Sequence, residues 1–472
     1  MYKKININEP ILLKIGEIAD EHNIKIYVVG GYVRDYLLGN PRTDIDCTVC
    51  GDAINFAKLI ADKFNSKVVV YERFRTALVP IGEHHIEFVG TRKEEYLPNS
   101  RKPITTEGTL EDDLRRRDFT VNAMAASINK TTFGELIDLF GGYQHLQDKK
   151  LITPLDPLTT FNDDPLRMMR AARFASQLGF ALDKNSINAI KKIASRIKII
   201  SQERISSEFL KIISSKNPTL GILILDKTGL LDYIFPELLA LKGVDVVATK
   251  EQTYAHKDVY YHSLKVLENI VSVSDNLWLR FAGLVHDIGK AKTKKFIEGS
   301  GWHFFGHEEV GARMMDKIFN RMRLPLDNID YVKLLIKLHL RPMQLVDGEV
   351  TDSAIRRLAV QAGDALEDLF LLCRCDITSK NPHLTKQYFN NYDIVAQKVI
   401  EVQEKDKLRE FQSPVRGEEI MEICNIPPSK LVGIIKTNIE NAILDGIIPN
   451  EYEPAKAYFL ENYVQWIELN KQ

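Results

Sequence analysis

Strand-forming sequence is confined to the first third of this chain. Runs rich in β-branched and aromatic residues occur at Lys25–Val29, Thr43–Val49, Lys67–Tyr71, Thr76–Ile81 and His85–Val89, and such runs read as strands. Helical spacing fills Glu9–His22, Tyr32–Leu38 and Ala53–Asn65 between them. The link Ile81-Gly82-Glu83 predicts a hairpin, so the sheet is mixed and not doubly wound. Thr91 to Asp112 turns polar, with Pro98, Pro103 and Gly108, and reads as a loop. After Pro165 the strand signal nearly vanishes, and amphipathic helices follow, broken at Pro218, Gly229, Pro236, Gly243, Pro325, Pro342, Pro382 and Pro414. The expected architecture is a small α/β head with a mixed sheet, followed by a long all-α remainder, elongated and multidomain.

At 472 residues the chain calls for two to four domains. No apolar run approaches the roughly 18 residues of a membrane span, and the start MYKKININEP lacks the apolar stretch of a signal peptide. Five cysteines suit the reducing cytoplasm better than a disulfide framework. Cys47 and Cys50 form a C-x-x-C inside a strand with no second pair, so metal or redox use is not expected there. The net charge of −1 does not announce nucleic acid. Between Lys184 and Lys216, however, eight Lys/Arg face two Asp/Glu on a segment of helical spacing. That is either a solvated helix face or a phosphate-tracking stripe.

Gly30 and Gly31 end a buried-looking strand and precede a helix that carries Arg34. Such a turn lets backbone N–H groups approach a phosphate, though Gly-Gly also serves as a plain tight turn. Asp44 and Asp46 sharpen the reading. At i and i+2 of a strand they share one face, and two anions so close repel unless a cation lies between them. Hard oxygen ligands suit Mg²⁺. Glu87, in HHIEFVG, offers a third carboxylate opposite the core-facing Ile86 and Phe88. A glycine turn, D-x-D and a neighbouring acid form a two-metal arrangement for phosphoryl transfer.

GGYVRDYLLG followed by DID resembles the signature of the nucleotidyltransferase superfamily, and within it the class II tRNA nucleotidyltransferase and bacterial poly(A) polymerase family. RRDFTVNA (Arg116–Ala123) resembles that family's ribose-selecting element, which implies contacts from Arg117 and Asp118, with Asn122 in the same element. IDLFGG (Ile137–Gly142) and SQERISSEFLKI (Ser201–Ile212) match the next two elements. In the last, Glu203 and Arg204 are expected to brace the neck helices. The resemblance implies that Asp44 and Asp46, with Glu87 available, hold Mg²⁺ and that Gly30, Gly31 and Arg34 hold a triphosphate.

FNDDPLRMMRAARF, Phe161 to Phe174, carries the base-reading chemistry. Asn162 or Asp163 can cap a helix with Pro165 in its first turn, and Asp164 and Arg167 at i and i+3 then sit side by side. The plain reading is a capped helix with a local ion pair. A carboxylate beside a guanidinium also presents an acceptor next to a donor. Cytosine and adenine match that order, whereas uracil and guanine reverse it and would leave buried groups unpaired at about 1–3 kcal/mol each. The stretch matches the family's E-D-x-x-R element, with Asp163 where the usual residue is Glu.

The resemblance implies tRNA as primer and CTP and ATP as substrates, with C, C and A added in turn. Poly(A) addition with ATP alone is the alternative within the family. VYERFRTALV and the retained Arg92–Asp112 segment resemble the CCA-adding version more closely. With this reading the basic segment becomes a tRNA-backbone contact through Lys191, Lys192, Arg196 and Lys198. No membrane is expected, and a monomer or homodimer is.

Six of the eleven histidines fall between His256 and His339. His286 and Asp287 end an apolar helix, His262 lies on the helix before, and Asp376 ends a later one. His307 and His339 complete the set, while His256 and His303 read as core histidines. Imidazoles and carboxylates converging from helices suit Mn²⁺, Fe²⁺, Co²⁺ or Ni²⁺ better than a structural zinc site. The pattern resembles the HD phosphohydrolase superfamily. It implies a metal-dependent phosphatase or cyclic phosphodiesterase, or a metal-holding structural domain. A hydrolase with an RNA-binding head is the alternative function for the whole chain. The expected division is head 1–145, neck 146–215, body 216–250, HD domain 251–380 and tail 381–472.

Overall fold

The computed structural model describes residues 4–40, 43–72, 75–95, 104–244, 246–248, 253–255, 258–298, 301–345, 351–379, 381–406 and 413–469. They form two compact units, Met1–Leu239 and Ala240–Gln472. His256 lies outside the described residues.

The first unit is built on β1 (Lys25–Val29), β2 (Asp44–Cys50), β3 (Val69–Tyr71), β4 (Thr76–Ile81), β5 (His84–Gly90), β6 (Arg92–Glu95), β7 (Ile104–Glu107), β8 (Met124–Ser127) and β9 (Leu136–Asp138). Seven of these make one sheet, in the order β3-β4-β5-β2-β1-β8-β9. β2 and β5 run parallel and every other pair antiparallel, so the sheet is mixed, as the β4–β5 hairpin requires. Alternation sets its faces. Ile45, Cys47, Ile86 and Phe88 are buried, and the Ala53–Lys63 helix lays Phe56 edge-on against Phe88 at 5.6 Å. Asp52 caps that helix by accepting from the N–H groups of Ile54 and Asn55. Asp44 and Asp46 therefore fall on the opposite, exposed face. A one-residue slip would turn both carboxylates into the core, so burial of this face pins the register.

The segment read as a loop from Thr91 to Asp112 is more ordered than its composition suggests. β6 and β7 pair antiparallel, Arg92 with Glu107 through Glu95 with Ile104, and Thr109 with Asp112 forms a capping box for the Leu110–Arg115 helix. β7 is exposed along its length, so it lacks the one-sided apolar alternation by which strands are recognised. Residues 96–103 of that stretch lie outside the described set.

Helices Pro157–Asp163, Leu166–Leu178, Lys184–Ile193, Gln202–Ile213 and Pro218–Lys227 complete the unit. The region expected to start one capped helix is a break between two. Asn162 and Asp163 close the first, Asp164 is extended (φ −132°, ψ 99°), and its Oδ1 accepts from the Leu166 N–H at 3.1 Å. Asp164 thus does the capping expected of its neighbours. Pro165 stands just before the second helix, where its missing N–H costs nothing.

In the second unit, helices Val259–Val271, Leu277–Val285, His307–Met322, Ile329–Leu338 and Leu366–Asp376 bury Leu267, Phe281, Leu284, Met315, Phe319, Leu335 and Leu369. A two-stranded hairpin, Lys295–Ile297 with Gly301–His303, interrupts them. The C-terminal helices carry a separate core of Val415, Ile420, Ile435, Ile439, Ile443, Ala455 and Phe459. Among the described residues no helix is long and apolar enough to cross a membrane.

Candidate active sites

The glycine turn and the acidic strand open onto one cavity. Gly30 ends β1 with φ 70°, and a Cβ there would stand 2.6 Å from Arg117 Nη1. Both the backbone sign and the space demand glycine. The cavity, about 560 Å³, is lined by Gly31, Arg34, Asp46, Arg116, Arg117, Asp118, Asn122, Asp164, Leu166, Arg167, Arg170, Arg173, Phe174, Gln177, Arg204 and Lys211. Basic side chains dominate this wall, which favours a polyanion. Asp46 sits on it. In the β2–β5 ladder Asp46 pairs with Glu87 and Asp44 with His85, so the three carboxylates share one face. Burial, and next the Asp46 charge, raise the Glu87 carboxyl. Crowded anions on hard oxygen atoms fit a divalent cation. Asp44 is also 3.7 Å from the His85 imidazole.

Arg34 is less available than its position suggests. It is buried and donates to both Asp35 oxygens at 2.7 and 2.8 Å and to Asn122 Oδ1 at 2.6 Å. Asp35 thus offsets much of its charge. Asp118 is buried and accepts from the Phe119 N–H, Asn122 and Arg170. Burial alone would raise its carboxyl, but the Arg170 guanidinium and the Asn122 amide hold it down at about 2. Asp113, which sequence reading missed, is also fully buried. Against burial, Arg117 and Arg116 hold its carboxyl low through contacts of 3.1 and 2.6 Å. The RRRD run after three acids, Glu111, Asp112 and Asp113, was the available signal.

Asp164 and Arg167 both line the cavity but do not take the expected side-by-side contact. With Asp164 outside the helix, the i, i+3 register does not apply. Arg167 Nη1 donates to the Thr160 carbonyl at 3.2 Å and Nη2 to the Arg116 carbonyl at 2.6 Å. Its guanidinium is thereby fixed in one plane, and among the described residues these are its two side-chain hydrogen bonds. Asp163 is half-buried, which raises its carboxyl, while Arg167 lowers it. A buried ion pair lies between two of the neck helices. Arg173 and Glu208, both largely buried, meet at 3.0 Å, whereas Glu203 and Arg204 are exposed and Arg204 lines the cavity.

Of the basic candidates, Lys191, Lys192 and Lys198 are exposed and Arg196 is half-buried. Arg196 donates to the Asn162 carbonyl at 3.1 Å, and Lys198 lies 4.9 Å from the Tyr233 ring centre.

In the second unit, His262, His286, Asp287, His307, His339 and Asp376 converge. The His262 Nε2 lies 2.8 Å from Asp376 Oδ1 and 3.3 Å from the His286 Nε2. Asp287 lies 3.3 Å from both His286 and His307 and 3.8 Å from His339. The Nδ1 atoms of His286, His307 and His339 are tied to the carbonyls of Gly283, Phe304 and Ile336 at 2.8, 2.8 and 2.6 Å, and the His262 Nδ1 to Thr378 Oγ1 at 3.0 Å. Outer hydrogen bonds of this kind aim each Nε2 inward. The donors of His262, His286 and Asp376 lie within 4.8 Å of one another, as do those of His286, Asp287 and His339. The buried His307 Nε2 faces Asp287 Oδ1 at 3.3 Å. A divalent cation fits this donor set. Although burial opposes charge, Asp287 and Asp376 push the His286 imidazole up to about 10, while burial and His286 push His339 down to about 4. Lys290 reaches Asp287 at 2.7 Å. The centre also depends on Gly289, whose added Cβ would lie 2.0 Å from the His307 carbonyl.

Three families match in order. The Poly A polymerase head domain covers residues 26–152, the probable RNA and SrmB-binding site of polymerase A 179–241, and the HD domain 259–375. The multifunctional CCA protein of Haemophilus influenzae is 32% identical over 340 residues, 67% of this chain and 75% of that protein. This chain belongs to the class II tRNA nucleotidyltransferase family. Another relative, the A-adding tRNA nucleotidyltransferase of Deinococcus radiodurans, is 29% identical over 86% of this chain and 88% of its own length. An A-adding tRNA nucleotidyltransferase of Geobacter sulfurreducens is 35% identical over 54% of this chain, which spans 29% of that longer protein. A tRNA nucleotidyltransferase solved with a primer tRNA and an incoming ATP analog is similar in fold, with a TM-score of 0.58, 25% identity and coverage of 81% of this chain and 98% of that one. The nucleotidyltransferase and HD domains both imply divalent-metal dependence.

Proposed function

We propose that this tRNA nucleotidyltransferase completes the 3′ end of tRNA with C, C and A from CTP and ATP. The observation that carries the reading is the basic cavity with Asp46 on its wall and Asp164 and Arg167 facing the same space. In this reading Asp44 and Asp46, with Glu87 beside them, hold Mg²⁺, which when bound activates the primer hydroxyl and steadies the leaving pyrophosphate. Gly30, Gly31 and Arg34 receive the triphosphate. Arg117, Asp118 and Asn122 contact the ribose. The planar guanidinium of Arg167, with Asp164, meets the base edge, and Asp163 flanks them. Lys191, Lys192, Arg196 and Lys198 follow the tRNA backbone.

The primer 3′-oxygen attacks the α-phosphorus, the bond to the bridging oxygen breaks, and pyrophosphate departs. The protein contributes position and fixed charge, the larger part of catalysis in phosphoryl transfer. The HD centre is proposed as a second, phosphohydrolase site holding Mn²⁺, Fe²⁺, Co²⁺ or Ni²⁺. The working division is head 1–145, neck 146–215, body 216–250, HD domain 251–380 and tail 381–472, in a cytoplasmic monomer or homodimer. All five cysteines are free, which agrees with a reducing compartment.

A-only addition is the second reading, favoured by the names of the Deinococcus and Geobacter relatives. Two tRNA transcripts separate them, one ending before CCA and one ending in CC. Gain of three nucleotides by the first, with CTP and ATP present, supports CCA addition. Growth of the second alone, by one A, replaces it with A-addition.

A further inference from the structure

One residue of the base-reading helix has no part in base reading. Phe174 lies on the Leu166–Leu178 helix, one turn beyond Arg170 and two beyond Arg167. All three therefore share a face, and all three line the basic cavity. A phenyl ring offers phosphate no hydrogen bond. Its near surroundings are cations: the guanidinium carbons of Arg173, Arg170 and Arg34 stand 4.3, 5.2 and 5.3 Å from the ring centre. Phe174 is only 7% exposed, and it meets Phe119 in a T-shaped contact at 5.9 Å. Little of the ring is left for a base to stack on.

Arg34 comes from the helix behind the glycine turn, and Arg170 and Arg173 come from the base-reading helix. Each has its own carboxylate: Asp35 for Arg34 at 2.7 Å, Asp118 for Arg170 at 2.6 Å and Glu208 for Arg173 at 3.0 Å. Like charges gathered in a largely buried wall still repel. Burial lowers the Arg173 guanidinium below its ordinary value, Glu208 opposes that, and the Arg170 and Arg34 charges add to it. The electron-rich face of an aromatic ring attracts cations within about 6 Å of its centre, most strongly where water is excluded. An aliphatic side chain of similar volume would fill the space and leave the repulsion.

We infer that Phe174 is a positioning residue for the incoming triphosphate, its ring being the common surface that gathers Arg34, Arg170 and Arg173 into one phosphate-facing wall. It acts through the guanidiniums and not on the reacting atoms. Base choice stays with Asp164 and Arg167, the latter held by the Thr160 and Arg116 carbonyls. The inference deepens the nucleotidyl-transfer reading and rests on it for the identity of the polyanion. Its signature is therefore a change in polyphosphate affinity and in the KM for nucleotide, with selectivity among bases untouched.

Calorimetric titration of the full-length chain with tripolyphosphate, at fixed Mg²⁺, tests the ring apart from catalysis. Singly, doubly and triply fluorinated phenylalanine at position 174 withdraws electron density from the ring face with little change in size. Kd should rise stepwise with each fluorine, reaching about tenfold for the triply fluorinated ring. Phe174→Leu should lose about as much, and the fluorine series decides the matter even where Phe174→Leu unfolds. The KM for CTP and ATP should rise in parallel, while kcat and the relative use of UTP and GTP stay as in the native chain. A ring that only fills space predicts a flat fluorine series, and a flat series overturns the inference. So does a series that alters kcat or base choice and leaves KM alone. Nucleotide addition to tRNA by the native chain separates this inference from the proposed function. No addition, with the stepwise Kd intact, removes that function and leaves Phe174 at a polyphosphate site. Addition together with a flat series does the reverse.

Discussion

Asp118 and Arg170 lie fifty-two residues apart in sequence, yet Asp118 Oδ2 accepts from Arg170 Nε at 2.7 Å and Nη2 at 2.6 Å. One end of the pair lies just before the Thr120–Asn122 turn of the head and the other on the helix that follows Pro165. The contact joins these two segments at the cavity that both line.

That pair makes the first unit acid-sensitive. The Asp118 carboxyl is held at about 2, below its ordinary 3.8, because Arg170 and Asn122 outweigh burial. A depressed carboxyl stabilises the fold above its unfolded value, and the contribution is lost as pH falls from 3.8 toward 2. Its size is about 2 kcal/mol. Denaturant unfolding at pH 7 should show Asp118→Asn destabilised by about that amount, with the difference from the native chain shrinking toward pH 2. An equal difference at both pH values contradicts the linkage.

Arg167→Lys should damage nucleotide choice more than folding. Lysine cannot reproduce the planar fork that reaches the Thr160 and Arg116 carbonyls. Loss of fixed donors at the base edge should lower kcat/KM for CTP and ATP about ten- to a hundredfold. Single-turnover incorporation of each of the four nucleotides checks this, with relative use of UTP and GTP expected to rise. Unaltered selectivity would remove Arg167 from base reading.

Reversal of Lys191 and Lys192 to Glu should raise the KM for tRNA without altering that for CTP. Both side chains are exposed on the Lys184–Ile193 helix. Removing a lysine that neutralises a phosphate should also flatten the salt dependence of binding. An unchanged KM and salt slope assigns them to a solvated helix face.

Gly289→Ala should disable the HD centre selectively. The new methyl would press on the His307 carbonyl at 2.0 Å and the Gly311 N–H nitrogen at 2.8 Å, an overpacking of about 1–3 kcal/mol. Metal analysis should find less transition metal bound per chain, while nucleotide addition to tRNA continues. Full metal content in the variant would contradict the role given to this close approach.

Legibility followed the kind of signal each element carries. Asp44, Asp46 and Glu87 were readable because strand alternation fixes faces once one face is apolar. The six HD residues were readable from the helix-end positions of His286, Asp287 and Asp376 together with the resemblance to the HD superfamily, and the structure gathers all six. The β6–β7 pair was missed because β6 is a run of charged residues and β7 is exposed, so neither has an apolar face to reveal a period. The Asp164–Arg167 contact was misread because Pro165 splits the expected helix, moving Asp164 out of register. Arg170, Arg173, Glu208 and Asp113 gave little local signal, since their partners lie on other elements and only packing brings them together.

The central claim is that nucleotide addition belongs to the carboxylates of the head and not to the HD centre. Asp46→Asn and Asp287→Asn, assayed side by side for labelled CTP and ATP incorporation into tRNA lacking CCA, test it directly. Addition should fall at least about a hundredfold in Asp46→Asn and persist in Asp287→Asn. Addition that survives Asp46→Asn and dies with Asp287→Asn would contradict the account.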